Sequence, residues 1–193
     1  ASYFMIITIS GTPGSGKSTI AGILAEKLGA ERIYVGGIRR ELARQKGMTL
    51  QELNEYAKTH SETDVDVDKK AAAEAEAAEK KGKIIIVEGR TQFHFLPKSI
   101  KIFIKVSPEE GARRIWKDLQ DKEKQERRNE GKMGSFETVK KRTFEREEED
   151  AERYKRYYGF DHRDESHYDL ILDTTDLTAK KAAEKVLRFI RSR

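Results

Sequence analysis

The sequence predicts an α/β fold in which helices cover both faces of a central, five-stranded parallel sheet. Short apolar segments rich in β-branched residues alternate with longer helical stretches, which is typical of parallel sheets. The length of 193 residues suits a single domain with a sizeable core. A glycine-rich loop joins the first strand to the first helix, as in phosphate-binding α/β proteins.

The strands and helices are assigned in chain order from apolar periodicity and capping residues. Five segments are expected to be strands: Met5–Ile9, Arg32–Val35, Lys83–Val87, Ile100–Val106 and Tyr168–Asp173. Helices are expected over residues 18–28, after Gly37, from Thr49 to about Lys58, over 62–80, from Ser107, over Phe136–Gly159 and from Thr178. Residues 117–134 are almost devoid of apolar side chains. This stretch is expected to be a solvated charged segment, either mobile or an exposed helix pair, or else a lid over bound nucleotide.

The composition limits the class of protein. The chain contains no cysteine, which excludes disulfides, thiolate metal sites and cysteine nucleophiles and fits a reducing cytoplasm. No stretch approaches 18 apolar residues, so no membrane partner is expected. The four histidines lack metal-ligand spacing. Residues 1–4 precede the first strand and receive no assignment.

The net charge of +5, with 38% charged residues, has two explanations. A basic surface can neutralise nucleic-acid phosphates, whereas an enzyme that handles two polyanionic nucleotides needs an arginine-lined cleft. The positions of the arginines in the sequence can decide between these explanations. The sequence contains no basic–aromatic RNA-binding motif, which argues against nucleic-acid binding.

Residues 11–18 form a complete phosphate-binding motif, G-x-x-x-x-G-K-[ST]. With the next residue, they are predicted to bind ATP: Gly11, Thr12, Pro13, Gly14, Ser15, Gly16, Lys17, Ser18 and Thr19. Backbone N–H groups and the helix N-terminus would face the phosphate oxygens. Lys17 would reach the β- and γ-phosphates, and the Ser18 hydroxyl would be a ligand of Mg²⁺. The motif therefore predicts a nucleoside triphosphate site.

The charged residues of the helix over Phe136–Gly159 follow a pattern. At about 100° per residue, an arginine stripe of Arg142, Arg146 and Arg153 lies on one side of the helix, with Asp150 beside it. The neighbouring apolar sector is predicted to comprise Phe136, Phe144, Ala151, Tyr154 and Tyr158. Arginines at the boundary of a core suit phosphate binding, and Asp150 could accept hydrogen bonds from ribose hydroxyls. Pairing with acidic residues one turn away is the alternative interpretation.

The third predicted strand ends in Glu88-Gly89-Arg90. This places a carboxylate and a guanidinium at the edge where open α/β sheets bind ligand. Glu88 could hold Mg²⁺ through water, and Arg90 could bind a transferring or acceptor phosphate. The sequence lacks the Asn/Thr-Lys-x-Asp motif with which GTPases recognise the guanine base, so a GTPase is not expected.

From Met5 to about Thr175 the sequence resembles the cytidylate kinases in their archaeal-type short form, a branch of the nucleoside monophosphate kinases. The likeness rests on an ordered set of motifs: the phosphate loop, Ile38–Ala43, Glu55–His60 followed by Asp64 and Asp68, Glu88–Arg90, Arg146–Tyr154 and Tyr157–Asp161. The sequence departs from the family's pattern at Tyr34, Gly37, Val65 and Thr91. These positions lie where the acceptor base and ribose would bind.

The resemblance implies a three-layer P-loop kinase fold in one domain. It divides residues 1–193 into a core (5–35, 83–117 and 136–193), a nucleoside monophosphate-binding region (36–82) and a charged lid (118–135). The acceptor site would comprise Arg40, Asp64, Glu88, Arg90, Arg146, Asp150 and Arg153. Lys17, Arg90 and Arg146 would be the catalytic residues.

The expected activity is transfer of the γ-phosphoryl group of ATP to a nucleoside monophosphate, with CMP as the first choice and Mg²⁺ as cofactor. The alternatives are a kinase of the same fold with another acceptor (AMP, UMP, dCMP or a small metabolite), or a non-catalytic, ATP-dependent RNA-associated module. The expected partners are ATP and the monophosphate. Nucleic acid is not expected as a partner, and the chain is expected to be a cytoplasmic monomer or weak dimer.

Overall fold

The computed structural model describes residues 5–131 and 133–193. Residues 1–4, and Lys132 in the predicted lid, lie outside the described residues. Within these two ranges, five strands form one parallel sheet in the order β2-β3-β1-β4-β5. The strands are β1 (Met5–Gly11), β2 (Glu31–Tyr34), β3 (Ile84–Glu88), β4 (Ile100–Lys105) and β5 (Leu170–Asp173). The predicted five-stranded parallel sheet is confirmed.

The helices follow the predicted order, but α2 begins at Val35, which was assigned to the second strand, and not after Gly37. They are α1 (Lys17–Leu28), α2 (Val35–Gln45), α3 (Leu50–Ala57), α4 (Glu62–Lys80), α5 (Gln92–Phe95), α6 (Pro108–Leu119), α7 (Lys122–Arg128), α8 (Phe136–Tyr158) and α9 (Ala179–Arg191). The short α5 and a 3₁₀ turn over Glu165–His167 were not predicted, because neither is long enough to produce apolar periodicity.

The sheet has a hydrophobic core on each face. On one face, α1 and α9 pack against the sheet through residues such as Leu24 and Val186. On the other face, alanines of α4 pack against Ile85 and Val87 of β3. This arrangement gives the three layers expected from the sequence. None of the helices in the described ranges combines the length and the apolar character that a membrane span needs.

Local capping signals determine where several helices begin. The Thr49 side chain accepts from the Glu52 backbone N–H (3.2 Å), and Glu52 Oε2 accepts from the Thr49 N–H (2.7 Å). Ser107 caps α6, with Pro108 in its first turn. Thr178 caps α9 by accepting from the Lys181 N–H. The helix starts predicted at these three residues are confirmed.

The strand order determines where a ligand can enter. From β1 the chain first runs to β2 and β3 on one side, and then crosses to β4 and β5 on the other. The connections therefore diverge at the carboxyl end of β1, which is the position where open α/β sheets bind ligands. The phosphate-binding motif begins at this end, at Gly11.

Candidate active site

The phosphate-binding loop between β1 and α1 is shaped by close backbone contacts. Gly14 has φ of +73°, and a Cβ atom there would lie 2.3 Å from the carbonyl oxygen of Gly111 in α6. Gly11 has φ of +157°, and its Cβ would lie 2.0 Å from the Ile104 carbonyl oxygen. Only glycine fits at either position.

Hydrogen bonds from distant parts of the chain hold this loop. The Thr12 N–H donates to the Ile104 carbonyl (3.0 Å), and the Val106 N–H donates to Thr12 Oγ1 (3.1 Å). At the other end of the loop, Thr174 Oγ1 donates to the Ser15 carbonyl (2.8 Å). The ends of β4 and β5 therefore set the conformation of the loop.

Lys17 extends along the inside of the loop. Its Nζ donates to the Thr12 carbonyl at 3.4 Å. Burial, together with the nearby positive charge of Arg90, lowers the pKa of the Lys17 ammonium group to about 7. A phosphate group beside Lys17 would stabilise its charged form.

Ser18, Glu88 and Arg32 form a chain of hydrogen bonds that joins α1, β3 and β2. Ser18 Oγ donates to Glu88 Oε1 (2.5 Å), and Arg32 Nη2 donates to Glu88 Oε2 (2.7 Å). Arg32 Nη2 also contacts the Ser18 carbonyl (3.0 Å). Both oxygens of the buried Glu88 carboxylate are thus held in place. Sequence reasoning missed Arg32, because its proximity to Glu88 follows from the pairing of β2 with β3.

Asp150 lies at the centre of an arginine cluster. Arg90 donates to Asp150 Oδ2, Arg153 Nη1 lies 2.9 Å from Oδ1, and Arg146 Nε lies 3.7 Å from Oδ2. Burial alone would raise the pKa of Asp150, but Arg90, Arg153 and Arg146 outweigh burial and hold that pKa well below its ordinary value. Asp150 is therefore ionised at neutral pH.

Arg153 connects this cluster to α4 and, through Asp64, to α2. Arg153 Nε donates to Asp64 Oδ2 (2.5 Å), and both side chains are 2% exposed. Asp64 also accepts from Arg39, and Arg39 Nη2 donates to Asn54 Oδ1 (3.0 Å). Sequence reasoning singled out neither Arg39 nor Asn54. Arg39 lies within the family motif Ile38–Ala43, in which only Arg40 was given a role, and Asn54 belongs to no recognised motif.

Asp68 forms a second buried polar cluster one turn after Asp64. Thr91 Oγ1 and Tyr158 OH donate to Asp68 Oδ2 at 2.7 and 2.6 Å, and Gln92 Nε2 approaches Oδ1 at 3.2 Å. Burial raises the pKa of Asp68, and the hydrogen bonds from Tyr158 and Thr91 oppose that rise. Asp68 was noted as part of a family motif, but it was not predicted as a site residue.

The residues between α7 and α8 bring one more carboxylate to the cleft. Glu130 Oε1 lies 3.4 Å from Arg128 Nη1, 3.4 Å from Arg146 Nη1 and 3.7 Å from Arg40 Nη2. Burial would raise the pKa of Glu130, but the three arginines lower it below its ordinary value. Sequence reasoning missed Glu130 because it lies in a stretch where charged residues of both signs are common.

These groups line one cleft with a volume of about 620 Å³. The structure brings together in its wall all seven predicted acceptor residues: Arg40, Asp64, Glu88, Arg90, Arg146, Asp150 and Arg153. Loop residues from Pro13 to Thr19 line the same cleft. Gly11 ends β1 and Thr12 turns its hydroxyl to the Val106 N–H, so these two residues support the loop from behind.

The predicted apolar sector of α8 is wrong at one position. Phe144 is 62% exposed, whereas Val139 is fully buried against Ile115 and Leu119 of α6. Helical periodicity gives the angle between residues but does not identify the arc that contacts the neighbouring helix. Of the arginine stripe, Arg142 is exposed and donates to Gln51 Oε1, and only Arg146 and Arg153 reach the buried cluster around Asp150.

The oxygen atoms of Ser18 and Glu88 suit a hard cation such as Mg²⁺, which commonly binds one or two protein oxygens together with substrate phosphates and water. Within residues 5–131 and 133–193, no cluster of three or more His, Cys, Asp or Glu side chains could hold a metal ion. The donor set therefore fits a cation that is held mainly by a bound nucleotide.

The chain is similar to known kinases in sequence and in fold. A family model described as an AAA domain matches residues 7–166. The chain is 37% identical to a cytidylate kinase of Archaeoglobus fulgidus, covering 96% of this chain and 94% of that protein. It is 38% identical to a cytidylate kinase of Methanocaldococcus jannaschii, covering 89% of each. The fold is similar to that of shikimate kinase from Bacteroides thetaiotaomicron, with a TM-score of 0.59 at 14% identity over 97% of this chain and 98% of that one.

Proposed function

This chain belongs to the cytidylate kinase family, and we propose that it transfers the γ-phosphoryl group of ATP to CMP, giving ADP and CDP. One observation carries the proposal. The phosphate-binding loop and the arginine cluster around Asp150 line the same cleft. A donor triphosphate and an acceptor phosphate can therefore meet there.

The donor site is formed by the loop and the start of α1. Backbone N–H groups of residues 14–19 and the Lys17 side chain bind the ATP phosphates. Ser18, with Glu88 beside it, holds Mg²⁺ directly or through water. When bound, Mg²⁺ neutralises charge on the β- and γ-phosphate oxygens. Arg32 keeps the Glu88 carboxylate turned toward Ser18, so Glu88 serves the donor side rather than the acceptor base.

The acceptor site is formed by arginines from three elements. Arg40 on α2, Arg90 after β3 and Arg146 on α8 bind the phosphate of CMP, because planar guanidinium groups match phosphate oxygens. Asp150 accepts hydrogen bonds from the ribose. Arg153, which is buried between Asp64 and Asp150, acts by positioning these two carboxylates.

Phosphoryl transfer in this cleft needs no strong base. The attacking oxygen belongs to the ionised phosphate of CMP, so it forms the new P–O bond while the bond to the β-phosphate oxygen of ATP breaks. The residues contribute in-line placement and charge neutralisation by Lys17, Arg90 and Arg146. Closure of the lid over the nucleotides excludes water, which otherwise competes as an acceptor.

A panel of acceptors tests the proposal. Consumption of ATP is measured with CMP, UMP, AMP, GMP and dCMP separately, each with Mg²⁺ present. CMP is expected to give the highest kcat/KM. A higher value for another monophosphate would reassign the acceptor, and the absence of turnover with every member of the panel would contradict the proposed reaction.

A further inference from the structure

Glu130, between the lid helix α7 and α8, lies where three guanidinium groups converge. Arg40 comes from α2, Arg128 from α7 and Arg146 from α8, and all three approach the same oxygen, Oε1. The Glu130 side chain is 10% exposed. A carboxylate in this position is an anion held by groups that are also assigned to the acceptor phosphate, namely Arg40 and Arg146.

The fit between Glu130 and the arginines is loose. Charge-assisted hydrogen bonds between guanidinium and carboxylate are usually about 2.7–2.9 Å long, whereas these separations are 3.4, 3.4 and 3.7 Å. By contrast, Arg128 Nη2 lies 2.7 Å from Asp118 Oδ2. The buried Arg146 Nε also makes no hydrogen bond to the residues described here. A phosphate, with three terminal oxygens, could give each arginine a partner of its own.

Backbone contacts place Glu130 at this point. Arg40 Nε donates to the Arg128 carbonyl (3.0 Å), and the Leu50 N–H donates to the Asn129 carbonyl (3.0 Å). Asn129 Nδ2 donates in turn to the Met48 carbonyl (3.1 Å). The two residues before Glu130 are thus docked on the monophosphate-binding region, and the carboxylate enters the cleft as part of this docking.

We propose that Glu130 is an internal anion that competes with the phosphate of the acceptor nucleotide for Arg40 and Arg146. In the empty cleft Glu130 neutralises these arginines and helps to hold the lid against the monophosphate-binding region. An incoming phosphate takes over the arginines, and Glu130 moves away from them. This role rests on the proposed function, because it assumes that Arg40 and Arg146 bind an acceptor phosphate.

The opposite role predicts the opposite result. If Glu130 only positioned Arg40 and Arg146 for the acceptor, its removal would weaken binding. If Glu130 competes, removal of its charge frees the arginines and strengthens binding. The direction of the change in affinity therefore separates the two roles.

The test is calorimetric titration of CMP, and separately of inorganic phosphate, into the full-length chain without ATP. Glu130→Gln keeps the size of the side chain but removes its charge, and Glu130→Ala removes the carboxylate altogether. Both variants are expected to bind CMP about three- to tenfold more tightly, because CMP no longer has to displace an ion pair of modest strength. The matched control is Glu126→Gln, which removes an exposed charge from α7 in the same segment and is expected to leave the affinity unchanged.

Unchanged or weaker CMP binding in both Glu130 variants would overturn the proposal. Inorganic phosphate separates this failure from failure of the proposed function. If the wild-type chain does not bind CMP but the variants gain affinity for phosphate, the acceptor assignment is wrong and the internal anion stands. If CMP binds to wild type and to both variants equally, the acceptor assignment stands and the internal anion is wrong.

Discussion

The Ser18 hydroxyl donates a 2.5 Å hydrogen bond to Glu88 Oε1, which joins the start of α1 to the end of β3. The pairing of β1 with β3, in which Ile9 lies opposite Glu88, brings the two residues together. Arg32 binds the other oxygen of Glu88, so the carboxylate cannot turn away from Ser18. The start of α1 and the end of β3 are therefore coupled through the Glu88 carboxylate.

Replacing Glu88 by Gln is expected to lower kcat by about 100-fold, because the carboxylate proposed to orient Ser18 and hold Mg²⁺ through water loses its charge. The measurement is steady-state turnover of ATP and CMP across a range of Mg²⁺ concentrations. Glu31→Gln is the control, because Glu31 is an exposed residue of β2 that pairs with Lys83 on the surface. An unchanged kcat for Glu88→Gln would refute the metal-side role of Glu88.

Replacing Arg146 by Ala is expected to lower kcat/KM for CMP by about 100-fold with little change in stability. The Arg146 side chain is 28% exposed and its ion pairs are long, so its loss leaves no tightly paired carboxylate behind. Arg156→Ala is the matched control on the same helix, since Arg156 is exposed and contacts the Lys58 carbonyl and Glu152. Equal activity of the two variants would contradict the assignment of Arg146.

Replacing Arg153 by Ala is expected to destabilise the fold, in contrast to Arg146→Ala. The change leaves the Asp64 and Asp150 carboxylates buried without their shared partner, which costs about 3–5 kcal/mol in the free energy of unfolding. Urea unfolding monitored by circular dichroism measures this loss. A variant that unfolds at the wild-type urea concentration would show that Arg153 does not hold Asp64 and Asp150 together in the fold.

ATP binding is expected to take up a proton near pH 8. The pKa of Lys17 is about 7 in the empty site, so most Lys17 side chains are neutral at pH 8. The ATP phosphates raise this pKa, so binding takes up about one proton, and the affinity falls as the pH rises above 7. Calorimetry in two buffers with different ionisation enthalpies measures the uptake.

The Lys17→Met variant should lose this proton uptake. Lys27→Met, which changes an exposed lysine at the far end of α1, should retain it. Uptake that persists without Lys17 would assign the titration to another group.

Replacing Gly111 by Ala is expected to weaken ATP binding although Gly111 belongs to α6. The added Cβ would lie 2.7 Å from the Pro13 carbonyl oxygen and 3.0 Å from Val106 Cγ1, so the phosphate-binding loop must shift. Alanine is otherwise favoured in a helix by about 1 kcal/mol, so the melting temperature need not fall with the affinity. Gly134→Ala has no atom within 4 Å of its new Cβ and serves as the control. Wild-type affinity in Gly111→Ala would mean that the loop tolerates the displacement.

Features determined by neighbouring residues were predictable from the sequence. The phosphate-binding motif is contiguous, and the caps at Thr49, Ser107 and Thr178 depend on residues three or four positions away. Their physical causes lie within one turn of the chain. The family resemblance added Arg40 and Asp64 to the predicted acceptor residues that the sequence had already indicated at Glu88, at Arg90 and on the helix after the predicted lid.

Features that depend on which strands and helices are neighbours were not predictable. The Arg32–Glu88 pair follows from the adjacency of β2 and β3, and periodicity does not give the order of strands. Arg153 and Asp64 are 89 positions apart, and Glu130 meets Arg40 only because the end of α7 packs against α2. The error at Phe144 has the same origin, since the arc of α8 that is buried is decided by α6.

The loop that binds ATP is eight residues long in the sequence, but it is not a local structure. Its conformation requires the Ile104 carbonyl, the backbone of Gly111 and the hydroxyl of Thr174. During synthesis on the ribosome, the motif emerges first and its supports emerge about 90 to 160 residues later. The nascent chain therefore cannot form the nucleotide site until β5 has left the exit tunnel. A fragment that ends after β2 would carry the complete motif but lack the residues that hold the loop in its conformation.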